Sequence, residues 1–309
     1  MVDASGLLDL AVQGPIKLPP AVGLGTFKSK AQDVKVAVRC ALQHGIRHID
    51  TASIYKNETE IGEVIREYIN NGSLTRNDLY VTSKVSPFEM KDEATTHAAS
   101  KAILDRLGLD YVDLMLIHWP GAAKTELSSP ENAKKRQRTW RALEELYTKG
   151  FARAIGVSNY EIHHLEQLVT YAKVLPVLNQ VECHPKWPQN ELRQFCFENN
   201  IALAAYSPFA TGDFFSDSEL FSTVQKIALE CPGKTPAQIL LCWCLQKGCC
   251  CVLPKSIQPE RILEYSLDAP GMQKINGRWL SLEATAALDA LGATPEVRKK
   301  YCWNPRGVV

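Results

Sequence analysis

Side chains of four different chemistries stand where short apolar runs give way to polar residues. The stretch "GIRHIDTASIYKNETEIG", Gly45 to Gly62, begins as a short apolar strand and ends in an amphipathic helix, with Asp50 and Tyr55 at the turn between them. Downstream, "LYVTSK" ends in Lys84 and "YVDLMLIHW" carries His118. A carboxylate, a phenol, an ammonium and an imidazole make a set suited to holding and moving a proton. A phenol ionises near ~10, so tyrosine is a poor acid–base at neutral pH. A nearby ammonium favours the phenolate, so Lys84 is expected to draw the Tyr55 pKa down. Asp50 is expected to keep Lys84 charged, because a lone buried ammonium tends to lose its proton. His118 can hydrogen-bond an oxygen placed beside Tyr55. Taken singly, each has a plainer reading: a packed tyrosine, a solvated lysine, a core histidine. Their common position at strand ends argues for a site.

The elements that must position them follow from periodicity. "VQGPIKLPPAVGLGTF" is rich in Gly and Pro and predicts an N-terminal hairpin, then a first strand near Ala21–Gly25. Val34, Ala37, Val38, Ala41 and Leu42 recur at helical spacing, and Gly45 stops that helix. Strand and helix then alternate: "IRHID" before Ile61, Val64, Ile65 and Tyr68; "LYVTSK" before Ala99, Ala102, Ile103 and Leu107; "VDLMLIH", a polar loop over 121–135, then Trp140, Leu143 and Tyr147. "ARAIGVSN" precedes Leu165, Leu168, Val169 and Ala172, "VLNQVEC" precedes a helix near 190–199, and "IALAAYS" precedes helices near 218–230 and 235–247. "CCCVLPKS" is the eighth strand, "PERILEYS" opens the next helix, and a further helix near 281–291 leads into a tail. Near-continuous apolar strands fit a parallel sheet buried on both faces. Eight such units fit a closed (β/α)8 TIM barrel of α/β class, with an N-terminal β-hairpin and an extra C-terminal helix and tail. No G-x-G-x-x-G follows the first strand, which counts against a doubly wound dinucleotide-binding domain. In a barrel the strand C-termini gather over one pocket, where Asp50, Lys84 and His118 fall.

Composition narrows the alternatives. The chain has 309 residues, 35 Lys plus Arg against 34 Asp plus Glu, and a formal charge of +1. That balance gives no electrostatic reason to expect a nucleic-acid or membrane partner. No apolar run reaches the ~18 residues of a membrane span. The N-terminus carries Asp3 and Asp9 and no basic segment, so it does not read as a secretory signal, and the expected location is cytoplasmic. Ten cysteines do not by themselves make a disulfide framework in a chain of this length. Cys242, Cys244, Cys249, Cys250 and Cys251 cluster but lack paired C-x-x-C loops, so no metal is expected and "CCCVLP" reads as a buried strand. With no linker or repeat, residues 1–309 read as one domain.

"GIRHIDTASIYKNETEIG", "VTSK", "LMLIHWP", "AIGVSNY", "AYSP" and "LPKSIQPERI" together resemble the aldo-keto reductase superfamily, over about Pro19 to Leu267. The resemblance implies reduction of aldehydes and ketones to alcohols with Asp50, Tyr55, Lys84 and His118 as a catalytic tetrad. Hydride would come from nicotinamide C4 and the proton from Tyr55. The presence of His118, where some relatives carry Glu, favours carbonyl over carbon–carbon double bond reduction. The resemblance further implies NADPH/NADP+ as cofactor: Ser158, Asn159 and Gln180 on the carboxamide, Tyr206 stacked on the ring, Ser207 and Pro208–Gly212 along the pyrophosphate, and Thr26 also in contact. Lys255, Ser256 and Arg261 form a plausible 2′-phosphate pocket, with Glu264 near the adenine; the next position is Tyr265, where many relatives carry Asn. Phe27, Ile54, Trp119 and Trp303 are expected to face a small-molecule carbonyl substrate, and apolar pockets suit hydrophobic ones. Ser86 stands where many relatives carry Trp, which with short loops implies a more open pocket, as in microbial and plant members. A monomer is expected. The alternative is a cofactor-binding structural or partner-binding barrel with little turnover. A metal-dependent barrel hydrolase is disfavoured, since it needs a His/Asp cluster on several strand ends and the histidines found there are His118 and His184.

Overall fold

In the computed structural model, residues 17–231 and 233–309 are described. Strands β1 (Gly23–Gly25), β2 (His48–Asp50), β3 (Tyr80–Val85), β4 (Leu114–Ile117), β5 (Ile155–Ser158), β6 (Leu178–Glu182), β7 (Ala202–Tyr206) and β8 (Cys251–Leu253) pair in parallel in sequence order. Bridges Val22 to Val252 and Gly25 to Lys255 join the last strand to the first, with Gly25 N donating to Pro254 O at 2.9 Å. The sheet therefore forms a nearly closed (β/α)8 barrel. Helices α1 (Ala31–Gln43), α2 (Glu58–Asn70), α3 (Glu93–Leu107), α4 (Glu131–Thr148), α5 (Ile162–Tyr171), α6 (Asn190–Glu198), α7 (Ser218–Glu230), α8 (Pro236–Gln246), α9 (Pro259–Tyr265) and α10 (Leu282–Ala290) complete it. None of the described helices is long and apolar enough to cross a membrane.

Two apolar clusters divide by strand parity. Val81, Met115, Ile117, Ile155, Val157, Val181, Leu203 and Val252 pack outward with the helices. Tyr80, Leu114, Leu116, Ala154, Leu178, Ala202, Ala204, Cys251 and Leu253 fill the barrel interior. Successive strand residues alternate sides, so the inward series ends in polar residues at the C-terminal rim, above a mostly apolar interior that also holds the hydrogen-bonded pair His48 and Thr82. Tyr80, Thr82 and Lys84 share one side, as do Leu178, Gln180 and Glu182. The fold thus aims Asp50, Lys84, Ser158, Gln180, Glu182 and Tyr206 at one mouth.

Several sequence expectations shift. The hairpin falls largely on residues outside those described, and residues 17–20 form no strand. The loop expected over 121–135 ends sooner, because α4 begins at Glu131. Ala99 and Ala102 are only half-buried, and Thr96 and Ser100 join Ile103 and Leu107 on the buried face of α3. Their hydroxyls make this possible by bonding carbonyls within reach, Thr96 to Glu89 O and Ser100 to Thr96 O. Val169 is exposed, so the buried stripe of α5 is His164, Leu165 and Leu168. All ten cysteines are free thiols, and Cys251 is buried in β8.

Gly156 allows the interior to close between β5 and β6. A Cβ there would lie 2.5 Å from Leu178 O and 2.9 Å from Leu116 Cδ2. Gly156→Ala should destabilise the fold by about 1–3 kcal/mol, the usual cost of overpacking. A urea midpoint unchanged from the parent would show that β6 yields freely.

Candidate active site

Burying an ammonium is costly unless it is paired and hydrogen-bonded. Lys84 is fully buried at the end of β3, and its Nζ donates to Asp50 Oδ1 at 2.5 Å and to Thr51 O at 2.9 Å. Asp50 Oδ2 accepts from Gln180 Nε2 at 2.7 Å, so the carboxylate is held from both sides. Desolvation lowers the Lys84 pKa, opposed by Asp50. The pairing is set by register, since β2 and β3 place Asp50 opposite Thr82.

Tyr55 closes a 3-10 turn, Ser53–Tyr55, ended by Lys56 in the left-handed region. Asn57 fastens that turn from beneath. Its Nδ2 donates to Thr26 O at 2.9 Å and Ser29 O at 3.1 Å, and its Oδ1 accepts from Thr51 Oγ1 at 3.1 Å. Glu89 fastens it from the side, with Oε2 accepting from Ser53 Oγ and from the N–H of buried Ser86, both at 2.6 Å. Thr26 is buried and its hydroxyl donates to Asp50 O at 2.9 Å, inside the strand network.

The Tyr55 oxygen lies 3.5 Å from His118 Nε2, so phenol and imidazole converge on one point. Burial, then the charge of Asp50, pushes the phenol well above its ordinary value. The net direction is opposite to the one expected from Lys84 alone. Burial outweighs the ammonium, which sits 5.2 Å from the centre of the Tyr55 ring and is itself bonded to Asp50 and Thr51. His118 is held well below its ordinary value by desolvation and by Lys84, so the imidazole is neutral. Its Nδ1 is buried without a hydrogen-bond partner, which leaves Nε2, the atom facing the phenol, as the ring nitrogen in polar contact.

The amide residues expected to meet a cofactor are tied to one another. Asn159, in the left-handed region, donates to His118 O and to Ser158 Oγ, both at 3.0 Å, and accepts from Tyr206 OH at 2.6 Å. Ser158 Oγ donates to Gln180 O at 2.8 Å. An amide offers two donors and two acceptor lone pairs. One lone pair of Asn159 Oδ1, one N–H of Gln180 and its carbonyl therefore remain for an incoming carboxamide. Past β7, Ser207, Ala210 and Thr211 all have positive φ, followed by Gly212. Non-glycine residues in that region cost of order 1–3 kcal/mol each and cluster at functional loops.

Across the mouth, Lys255 and Arg261 are exposed while Ser256 is buried, its Oγ accepting from Gln258 N at 3.0 Å. Desolvation and neighbouring Lys28 lower the Lys255 pKa, which adds a cation that sequence reasoning missed. Its signal was faint, a lone lysine two residues past Thr26. Glu264, expected near an adenine, accepts from the Thr235 hydroxyl. On the other side, the Phe27 ring is 5.1 Å from Tyr55, and Trp303 meets Trp119 edge-on at 4.4 Å. Ile54 is exposed beside Tyr55. Cys302, also unforeseen, has its Sγ 3.6 Å from Ser207 Oγ. A phenol and a neutral imidazole above a buried ion pair, between an apolar wall and a cationic one, can donate hydrogen bonds to one substrate oxygen.

Residues 21–269 match the model of the Aldo/keto reductase family. Aldo-keto reductase family 1 member A1 of Bos taurus is 43% identical over 260 residues, 79% of each chain. Glyoxal reductase of Bacillus subtilis (strain 168) is 41% identical over 264 residues, 83% of this chain and 88% of its own. MGS-M4, an aldo-keto reductase from a Medee basin deep-sea metagenome library, superposes with a TM-score of 0.78 at 35% identity, covering 96% of both chains. An aldo-keto reductase solved in complex with NADPH superposes with a TM-score of 0.76 at 32% identity, covering 88% of this chain and 84% of its own.

Asp50→Asn would leave Lys84 buried without a counter-charge. We expect a loss of about 3–5 kcal/mol in denaturant stability, the range for breaking a buried pair from one side. A loss under 1 kcal/mol would show that the pair matters little to the fold.

Proposed function

The chain belongs to the Aldo/keto reductase family, a family of oxidoreductases acting on carbonyl compounds, and we propose that it reduces aldehydes and ketones to alcohols with NADPH. The observation that carries the reading is the convergence of a protonated Tyr55 phenol and a neutral His118 imidazole, 3.5 Å apart, over the Asp50–Lys84 pair. When bound, the nicotinamide supplies a hydride to the carbonyl carbon. Negative charge then grows on the carbonyl oxygen and must be met by donors already in place. His118 Nε2–H orients that oxygen. Tyr55 gives it a proton, and its raised pKa keeps the proton available at neutral pH. Lys84 stabilises the phenolate left behind, and Asp50 and Gln180 hold Lys84 in place.

Support for NADPH comes from the cationic side of the mouth. Lys255, Arg261 and Lys28 with the Ser256 hydroxyl suit a phosphate, because Arg and Lys bind phosphate through charge-assisted hydrogen bonds. Neither Lys255 nor Arg261 is in a salt bridge among the described residues. The remaining capacity of Asn159 and Gln180 suits a carboxamide, with Ser158 and Tyr206 holding Asn159. Ser207 and the strained segment after it are read as lying along the pyrophosphate. Phe27, Ile54, Trp119 and Trp303 give the substrate side an apolar wall that favours hydrophobic carbonyl compounds. In this reading the chain is a single-domain, cytoplasmic monomer.

Tyr55→Phe should lower kcat for aldehyde reduction by ~10²–10⁴-fold, the worth of a positioned general acid, with NADPH affinity within about twofold of the parent. Near-parental turnover would remove Tyr55 from its role. NADPH binding with no reduction of any aldehyde by the parent would favour a non-catalytic barrel. Arg261→Ala should weaken NADPH roughly tenfold and leave NADH unchanged, as followed by tryptophan fluorescence. An equal loss for both cofactors would place Arg261 away from the 2′-phosphate.

A further inference from the structure

Glu182, the last residue of β6, is fully buried, yet its carboxylate touches neither Asp50 nor Lys84. It faces the chain's last residues instead. Oε2 accepts from Lys300 Nζ at 2.7 Å and from the Cys302 N–H at 3.0 Å. Oε1 accepts from the Tyr301 N–H at 2.7 Å and from His184 Nε2 at 3.1 Å. Burial works to raise the carboxyl, but the contacts with His184 and Lys300 hold it down at about 2. Two consecutive backbone amides on one carboxylate fix the orientation of the peptide that carries them, not merely its distance.

The far end of the same segment is held as firmly. Val308 is buried, and its carbonyl accepts from His163 Nε2 at 3.0 Å and His164 Nε2 at 2.9 Å. Val309 O accepts from Arg136 Nη1 at 3.0 Å. Between the two anchors the chain has little freedom, and Trp303 emerges one residue past the Glu182 grip. Its ring meets Trp119, whose ring is stacked 6.3 Å from that of His118. Cys302 is likewise brought against Ser207.

We propose that Glu182 is a positioning residue for substrate selection: by gripping residues 300–302 it fixes Trp303 against Trp119 as a rigid wall of the carbonyl pocket. A fixed wall favours substrates large enough to pack against it and is indifferent to small ones. The proposal rests on the reductase reading for its kinetic part, while its structural part stands without turnover.

The test uses the full chain with Glu182→Gln, which keeps the shape and removes the charge that accepts four hydrogen bonds. Kinetics are measured with p-nitrobenzaldehyde and with propanal. We expect KM for p-nitrobenzaldehyde to rise about tenfold, with kcat and the propanal constants within about twofold of the parent. Trp303→Ala should raise KM for p-nitrobenzaldehyde alike, and the double variant should add little, because coupled residues are non-additive. Hydrogen exchange at the Tyr301 and Cys302 amides should quicken at least about tenfold in Glu182→Gln. The circular-dichroism couplet of the Trp119–Trp303 pair should fade with it. Equal losses for both aldehydes, or additive effects in the double variant, would overturn the proposal. So would unchanged exchange with an intact couplet. Should Glu182→Gln fail to fold, Lys300→Met removes one of the same bonds and must show the same size-dependent KM change in smaller measure. A parent that reduces neither aldehyde would count against the reductase reading alone, and exchange with the couplet would still decide the role of Glu182.

Discussion

The buried pair of Lys84 and Asp50 is the interaction on which the site depends. A lysine with no exposed surface requires a carboxylate within contact, and the carboxylate in turn requires donors for its second oxygen. Gln180, on the opposite side of the barrel, supplies one. Three strands, β2, β3 and β6, are therefore tied at their rims by charge and hydrogen bonding as well as by the sheet ladder. Beneath the ion pair lie the buried, mutually hydrogen-bonded His48 and Thr82 and then the apolar interior, which keeps the local dielectric low and makes each of these contacts stronger than it would be in water. The same low dielectric holds His118 neutral and Tyr55 protonated.

The proposed function thereby separates chemistry from selection. The proton-handling groups stand on strand ends and on a turn stapled by Asn57 and Glu89, none of which a substrate needs to move. The walls are built from loops and from the final residues of the chain. Phe27 and Ile54 come from the first two strand–helix connections, Trp119 from the fourth, and Trp303 from the tail. Because the tail is clasped through Glu182 and through the Val308 carbonyl, an element remote in sequence is as well fixed as the loops it faces.

Much of this was legible in the residues. Alternating apolar strands and helices pointed to a parallel sheet, and eight such units to a closed barrel in place of an open sheet, and the inward parity of each strand could be counted from its last polar residue. That Asp50, Lys84 and His118 would gather at one rim, with Tyr55 close by, was equally visible, because the C-terminal ends of barrel strands share one mouth. Strand parity also held an unused signal: Glu182 follows Gln180 by two and must share its face. Helix faces were less legible where Thr96 and Ser100 are buried, because their hydroxyls bond carbonyls of the same segment, a pairing that hydrophobic spacing does not register.

What the sequence determined by itself is the architecture and the chemical inventory of the mouth, because both follow from local periodicity and residue type. What only the tertiary structure decided is how that inventory is partnered and charged. Burial and the charge of Asp50 outweigh the pull expected from Lys84, so the phenol's pKa moves up and not down. Gln180 serves Asp50, Glu264 is taken by Thr235, and Glu182 reaches residues 300–302. Each of these depends on which groups meet across long stretches of chain and on how much water is removed around them. Both are properties of the packed molecule, and neither is written in the spacing of its residues.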